Sequence, residues 1–182
     1  MPDARILLIS GSTRGASTNS ALLRTAALCT PLGVSAVVYD GLADLPHFNP
    51  DDDRDPLPPA VAELRSAIAA SSAMLFCTPE YAGTVPGSFK NLLDWTVGGT
   101  EIAGKPVAWV NAAADPRRGA GATATLRTVL GYVQARIVED ACRHVPVPSE
   151  SAREGLIADQ ATRAAVRDVL SALVGAASAP GH

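Results

Sequence analysis

The sequence predicts an α/β fold: a five-stranded parallel sheet with helices on both faces. Three observations carry this. Short, almost unbroken apolar runs at residues 5–9, 73–78 and 107–111 read as strands buried on both faces, the pattern of a parallel sheet. Segments of helical period lie between these runs. Gly, Ser, Pro and Asn stand where the runs end, and these residues turn a chain.

The elements follow in order. Ser17, Thr18, Asn19 and Ser20 supply N-cap chemistry for a helix over 21–28, which Pro31 and Gly33 close. Residues 34–39 form the second strand. Residues 40–59 hold Pro46, Pro50, Pro56, Pro58 and Pro59 among several aspartates and read as a long loop with one short turn of helix. Loops of that length are often functional. A helix over 60–71 puts Val61, Leu64 and Ile68 on one stripe. The third strand, 73–78, leads through the loop 79–87 to a helix over 88–96. The fourth strand, 107–111, is followed by a Gly/Ala-rich loop over 112–121 and a helix over 122–134. A fifth strand is expected within 137–147, and a last helix over 159–174 turns Val166, Val169, Leu170 and Leu173 inward. This alternation with right-handed crossovers fits the flavodoxin-like strand order 2-1-3-4-5. Ligands of such sheets sit at the carboxyl ends of the strands, near the switch between strands 1 and 3. The 182 residues are read as one domain, with no internal repeat.

Composition removes several function classes. A net charge of -3 and a pI near 5.5 give no basic footprint for nucleic acid. No basic stretch suits an anionic membrane surface, and no apolar run reaches the ~18 residues needed to cross a bilayer. Cys29, Cys77 and Cys142 are odd in number and lack C-x-x-C spacing, so reduced thiols are expected rather than disulfides or zinc. Met1-Pro2-Asp3 runs straight into a strand without the pattern of a signal peptide. A cytoplasmic protein is the expectation. His47 and His144 lack partners at ligand spacing, and no G-x-S-x-G elbow occurs.

Two loops carry chemistry. Residues 11–19, G-S-T-R-G-A-S-T-N, lie between the first strand and first helix. Free N–H groups at a helix start bind anions. Ser12, Thr13, Ser17, Thr18 and Asn19 add short polar side chains, and Arg14 adds a planar fork for phosphate oxygens. Neither the Walker spacing nor G-x-G-x-x-G is present. A hydroxyl-rich loop suits the terminal phosphate of a mononucleotide; the same residues could serve simply as a helix cap. After the third strand, Pro79, Glu80, Tyr81, Ala82 and Gly83 begin a loop stiffened by Pro79 and Pro86, in which Gly83 permits close backbone approach. Such a loop can hold a conjugated ring by its edge, or be a plain connection with a surface tyrosine.

Together the loops resemble the NADPH-dependent FMN reductase family, which includes quinone, azo and chromate reductases. The family's G-S-x-R-x-x-S-x-N matches Gly11, Ser12, Arg14, Ser17 and Asn19. Its P-E-Y-N-x-x-x-P-G-x-x-K-N-x-x-D-W matches residues 79–95 with Ala82 in place of Asn, and Asp44-Leu45-Pro46-His47-Phe48-Asn49 resembles its D-L-P-x-F-N. The resemblance implies FMN as cofactor and NADPH or NADH as electron donor. It implies that Ser12, Arg14, Ser17 and Asn19 hold the FMN phosphate, and that Pro79, Glu80, Tyr81 and Gly83 line the ring system. It further implies a homodimer or homotetramer acting on a small-molecule electron acceptor. Lys90, Asn91, Asp94 and Trp95 are read as structural. Residues 111–119 depart from the family's Ser-rich loop, and Arg117 and Arg118 there are candidates for the NADPH phosphates. Two rivals use the same fold: a non-enzymatic flavodoxin-like electron carrier and a flavin-binding regulatory protein.

Overall fold

The computed structural model describes residues 4–148 and 151–179; Met1 to Asp3, read above as the approach to the first strand, lie outside them. Strands β1 (Ala4–Ser10), β2 (Val34–Tyr39), β3 (Ala73–Cys77), β4 (Pro106–Asn111) and β5 (Arg136–Ile137) form a parallel sheet in the order β2-β1-β3-β4-β5. Its register pairs Ile9 with Tyr39, Ser10 with Cys77, and Phe76 with Trp109. Successive side chains of a strand point to opposite faces, and the strands supply two cores in this way. Ile6, Leu8, Leu75 and Ala108 meet helices α1 (Thr18–Leu28) and α5 (Gln160–Ser178) on one face. Leu7, Ile9, Met74, Phe76 and Trp109 meet α2 (Pro59–Ala69), α3 (Gly87–Asp94) and α4 (Ala120–Tyr132) on the other. The stripes read from sequence, Val61/Leu64/Ile68 and Val166/Val169/Leu170/Leu173, are buried.

Three differences from the expected elements bear on the packing of the sheet and of α1. Helix α1 starts at Thr18, three residues early, because Ser17 in extended geometry (φ -88°, ψ 128°) accepts the Ser20 N–H and so opens the helix there. The fifth strand is broken. β5 and β6 (Arg143–His144) both run parallel to β4, with the turn Glu139–Ala141 between them. Arg127 holds that turn outward through a two-pronged pair with Glu139 (2.5 and 2.8 Å) while lying 5.0 Å over the Trp109 ring. A short hairpin, β7 (Ala152–Arg153) and β8 (Leu156–Ile157), was not expected. It turns at Glu154 and Gly155, both at positive φ, and docks on α1 where the Ile157 N–H donates to Thr25 Oγ1 (2.8 Å).

The long loop over 40–58 contains two short 3-10 turns, Gly41–Ala43 and Pro50–Asp52, and is stitched to α3. Asn91 Nδ2 donates to the Pro46 carbonyl (2.8 Å), and Asn91 Oδ1 accepts the Phe48 N–H (2.7 Å). Trp95 Nε1 donates to the same Pro46 carbonyl (2.8 Å), and its ring meets Phe48 edge-on at 5.0 Å. The structural reading of Asn91 and Trp95 thus has a specific content: they bind the 46–48 segment. Arg65 adds an ion pair with Asp53 (2.6 Å) and two bonds to the Trp95 carbonyl. Among the described residues no helix is long and apolar enough to cross a membrane, and no His/Cys/Asp/Glu cluster could hold a metal ion.

Candidate functional site

Carboxyl ends of parallel strands leave backbone groups and loops around a common crevice. Here the ends of β1, β3 and β4 open onto a cleft of about 600 Å³. Thr18 and Asn19 enter it from the start of α1, Thr78, Pro79 and Glu80 from the end of β3, and Asn111 to Ala114 with Arg118 and Gly119 from the end of β4. A smaller hollow of about 160 Å³ adjoins the first loop and is lined by Ser12, Thr13, Arg14 and Gly15, with Arg24 and Tyr39 opposite.

The first loop is held from beneath. The Gly11 N–H donates to the Cys77 carbonyl (2.9 Å), and the Ser12 N–H to Ser10 Oγ (3.2 Å), which also bonds Ser20 Oγ (2.8 Å). The Arg14 N–H donates to Ser12 Oγ (3.3 Å), and Arg14 Nη2 to the Ala16 carbonyl (3.2 Å), so the loop closes on itself. Among the described residues no hydrogen bond takes up the N–H groups of Gly15 to Asn19. These donors stand at the positive end of the α1 dipole, an arrangement that binds anions. Ser17 is buried and its hydroxyl is already engaged as the helix cap. What it leaves for a ligand is its backbone.

The second loop is a two-residue hairpin. Tyr81 and Thr84 exchange both backbone bonds (3.0 and 3.1 Å), and between them Ala82 (φ 51°) and Gly83 (φ 78°) are both left-handed. Two positive φ values in a two-residue loop mark a type I′ turn, whose preferred first residue is Asn. The departure at Ala82 therefore has a physical meaning: the chain carries a residue with a Cβ penalty where Asn would relax. Ala82→Asn is expected to raise stability by about 0.5–1 kcal/mol, seen as a small rise in the midpoint of thermal unfolding; a fall would show that the turn takes another form in solution.

The hairpin is fastened to α4. Glu80 Oε2 accepts the N–H groups of Gly121 (2.8 Å) and Ala122 (3.2 Å), capping a helix whose own N-cap, Gly119, has no side chain to offer. Thr84 Oγ1 bonds Thr125 Oγ1 (2.8 Å). The reading of α4 began at residue 122, two residues late, because a cap supplied from residue 80 leaves no local signal. The loop after β4 is folded around Asn111. Its Nδ2 donates to the Arg118 carbonyl (2.8 Å) and its Oδ1 accepts the Ala113 N–H (3.0 Å), while the Ala113 carbonyl meets His144 Nε2 (2.7 Å). The two arginines separate. Arg117 pairs with Asp115 (2.9 Å), whose carboxyl its hydrogen bonds hold below the usual carboxylate range; Arg118 lines the cleft.

The structure thus brings Thr18, Asn19, Pro79 and Glu80 together in one cleft. Ser12 and Arg14 lie in the adjoining hollow, and Tyr81, Ala82 and Gly83 form the exposed turn. Thr78, Asn111 and Val147 line the cleft without having been singled out. Position at a strand end was the available signal for Thr78 and Asn111, and nothing in the sequence marked Val147.

Comparison with known proteins gives this geometry a family. The profile described as NADPH-dependent FMN reductase matches residues 4–147, from β1 through the last residues of the cleft. The chain belongs to the NADPH-dependent FMN reductase family. Among relatives, an NAD(P)H-dependent FMN reductase of Pseudomonas aeruginosa is 38% identical over 133 residues, covering 72% of this chain and 71% of the other. A quinone reductase of Escherichia coli is 28% identical over 137 residues, covering 74% and 73%. The solved structure of FerB, a flavoenzyme NAD(P)H:(acceptor) oxidoreductase from Paracoccus denitrificans, superposes with a TM-score of 0.82 at 26% identity, over 96% of this chain and 97% of that one. As an FMN reductase family member the chain is an oxidoreductase whose cofactors are FMN and NAD(P)H. The first loop fits the former: it offers unused N–H donors, short hydroxyls and a helix N-terminus to a phosphate.

Proposed function

We propose that this chain binds FMN in the cleft at the ends of β1, β3 and β4 and reduces a small quinone-like acceptor with electrons from NAD(P)H. The observation that carries the reading is the set of unengaged N–H groups from Gly15 to Asn19 beside a cleft walled by the β3 and β4 loops. Ser12, Arg14, Thr18, Asn19 and the backbone of Ser17 hold the phosphate. Pro79, Glu80, Tyr81, Ala82 and Gly83 support the ring system through their backbone, with the Glu80 side chain reserved for α4. FMN, when bound there, would supply the two-electron redox chemistry between nicotinamide and acceptor. The protein's part is to place the two ligands in succession over one face and to keep the ring edge fixed. Ala112, Ala113 and Ala114 make the part of the opposite wall away from Arg118 small and apolar, which suits a flat, neutral acceptor. Arg118 faces the donor's phosphates. The reading includes a single domain and self-association, to which exposed Val97 and Tyr132, beside Val129 and Val133, offer an apolar face.

The test is anaerobic. Protein loaded with FMN and freed of excess is mixed with NADPH while flavin absorbance is followed. Retained flavin that bleaches supports the reading; retained flavin that stays oxidised with NADPH and NADH returns the carrier or regulatory alternatives. In steady-state turnover with a quinone as acceptor, Arg118→Ala is expected to raise the KM for NADPH several-fold with little change in kcat, as loss of a charge-assisted contact does.

A further inference from the structure

Cys77, the last residue of β3, lies directly under the mouth of the cleft and is fully buried. Its Sγ donates to Asn19 Oδ1 at 3.2 Å, and the backbone N–H of Ala112 also reaches the sulfur. Burial pushes this thiol up to about 12, so it keeps its proton at any physiological pH. With one N–H aimed at the sulfur, the thiol proton is left for Asn19, and a donor there requires an oxygen opposite it.

We propose that Cys77 is a positioning residue for the cofactor: its S–H holds the Asn19 carboxamide with the oxygen toward the sheet and the NH2 toward the cleft. This rests on the reading that the cleft binds FMN. The two ends of a carboxamide have nearly the same size and opposite hydrogen-bonding sense. Packing alone does not choose between them. An Asn19 that turned over would present an acceptor to an anionic ligand, beside backbone groups that all present donors. The thiol makes that choice in advance, before the ligand arrives. It also brings three segments to one atom, since Asn19 lies in the first turn of α1, Cys77 ends β3 and Ala112 follows β4.

A buried cysteine at the end of a strand is otherwise ordinary packing, and the test separates the two roles. FMN dissociation constants are measured by quenching of flavin fluorescence for the unsubstituted protein and for Cys77→Val, Cys77→Ser, Asn19→Ala and the Cys77→Val/Asn19→Ala double variant. Thermal midpoints confirm that each is folded. Val fills the space without a proton to give; Ser keeps the proton. Cys77→Val is expected to weaken FMN binding about fivefold, the scale of one hydrogen bond, and Cys77→Ser to restore it to within about twofold. In the Asn19→Ala background, removing the thiol is expected to change affinity less than about twofold, since the two residues act as one unit. Should Cys77→Val not fold, Cys77→Ala takes its place in the cycle. Equal losses in both backgrounds would reduce Cys77 to packing and overturn the proposal, as would a Cys77→Val protein that binds FMN like the original. No FMN binding by the unsubstituted protein would overturn the functional reading itself, and this proposal with it.

Discussion

Arg65→Met is expected to lower the stability of the protein by about 3–5 kcal/mol, the cost of leaving a buried partner charge unpaired. For a chain of this length that corresponds to a fall in melting temperature of roughly 6–20 °C. Arg65 and Asp53 have side chains only 11% and 9% exposed and meet at 2.6 Å. The same guanidinium donates twice to the carbonyl of Trp95, the residue that closes α3. Its removal strands a carboxylate and a carbonyl together. Asp53→Asn, which keeps a neutral acceptor for the guanidinium, is expected to cost less. Circular dichroism melts of the three proteins check this; a midpoint unmoved in Arg65→Met would mean that the 50–53 segment is held without the ion pair.

Gly121→Ala is expected to weaken FMN binding at least tenfold. A Cβ at this position would lie 2.8 Å from the Gly83 carbonyl carbon, closer still to its oxygen, and 3.2 Å from Glu80 Oε2. Those neighbours are backbone and a bonded carboxylate, so neither can swing aside. The turn at Ala82 and Gly83 must lift off the helix, and about 1–3 kcal/mol of overpacking goes with the displacement. Gly131→Ala, in the same helix, meets nothing within 4 Å and serves as the control; it is expected to leave FMN binding unchanged and to add a little stability. Flavin titration of both variants decides. Equal affinities would show that the hairpin takes no part in holding the cofactor.

Much of the architecture was legible because it rests on short-range patterns. The strands at residues 5–9, 73–78 and 107–111 are buried on both faces, and such strands announce themselves as apolar runs. The broken fifth strand did not, since β5 and β6 contribute two residues each and the turn between them is held by Arg127 from another element. The hairpin of β7 and β8 was missed for a related reason: Glu-Gly is a weaker turn signal than Asn-Gly. At the site, the two motifs named loops that the fold sets at the carboxyl ends of β1 and β3, and Thr18, Asn19, Pro79 and Glu80 of them share one cleft. They did not reveal which atoms were already engaged. Ser17 Oγ belongs to its own helix, and the Glu80 carboxylate to a helix forty residues further along. Nor could spacing show that Asn91 and Trp95 reach back to Pro46, because that partnership exists only once α3 lies against the long loop.

The Glu80 cap also shapes how ligands arrive. A carboxylate at the mouth of a cleft in a chain of net charge -3 would repel a phosphorylated nucleotide. By lying against the first turn of α4 its charge is answered by the helix dipole, and Arg118 then sets the sign of the local field. Within a Debye length of about 10 Å at moderate salt, an anionic ligand at the cleft therefore meets the Arg118 charge with the Glu80 carboxylate already engaged.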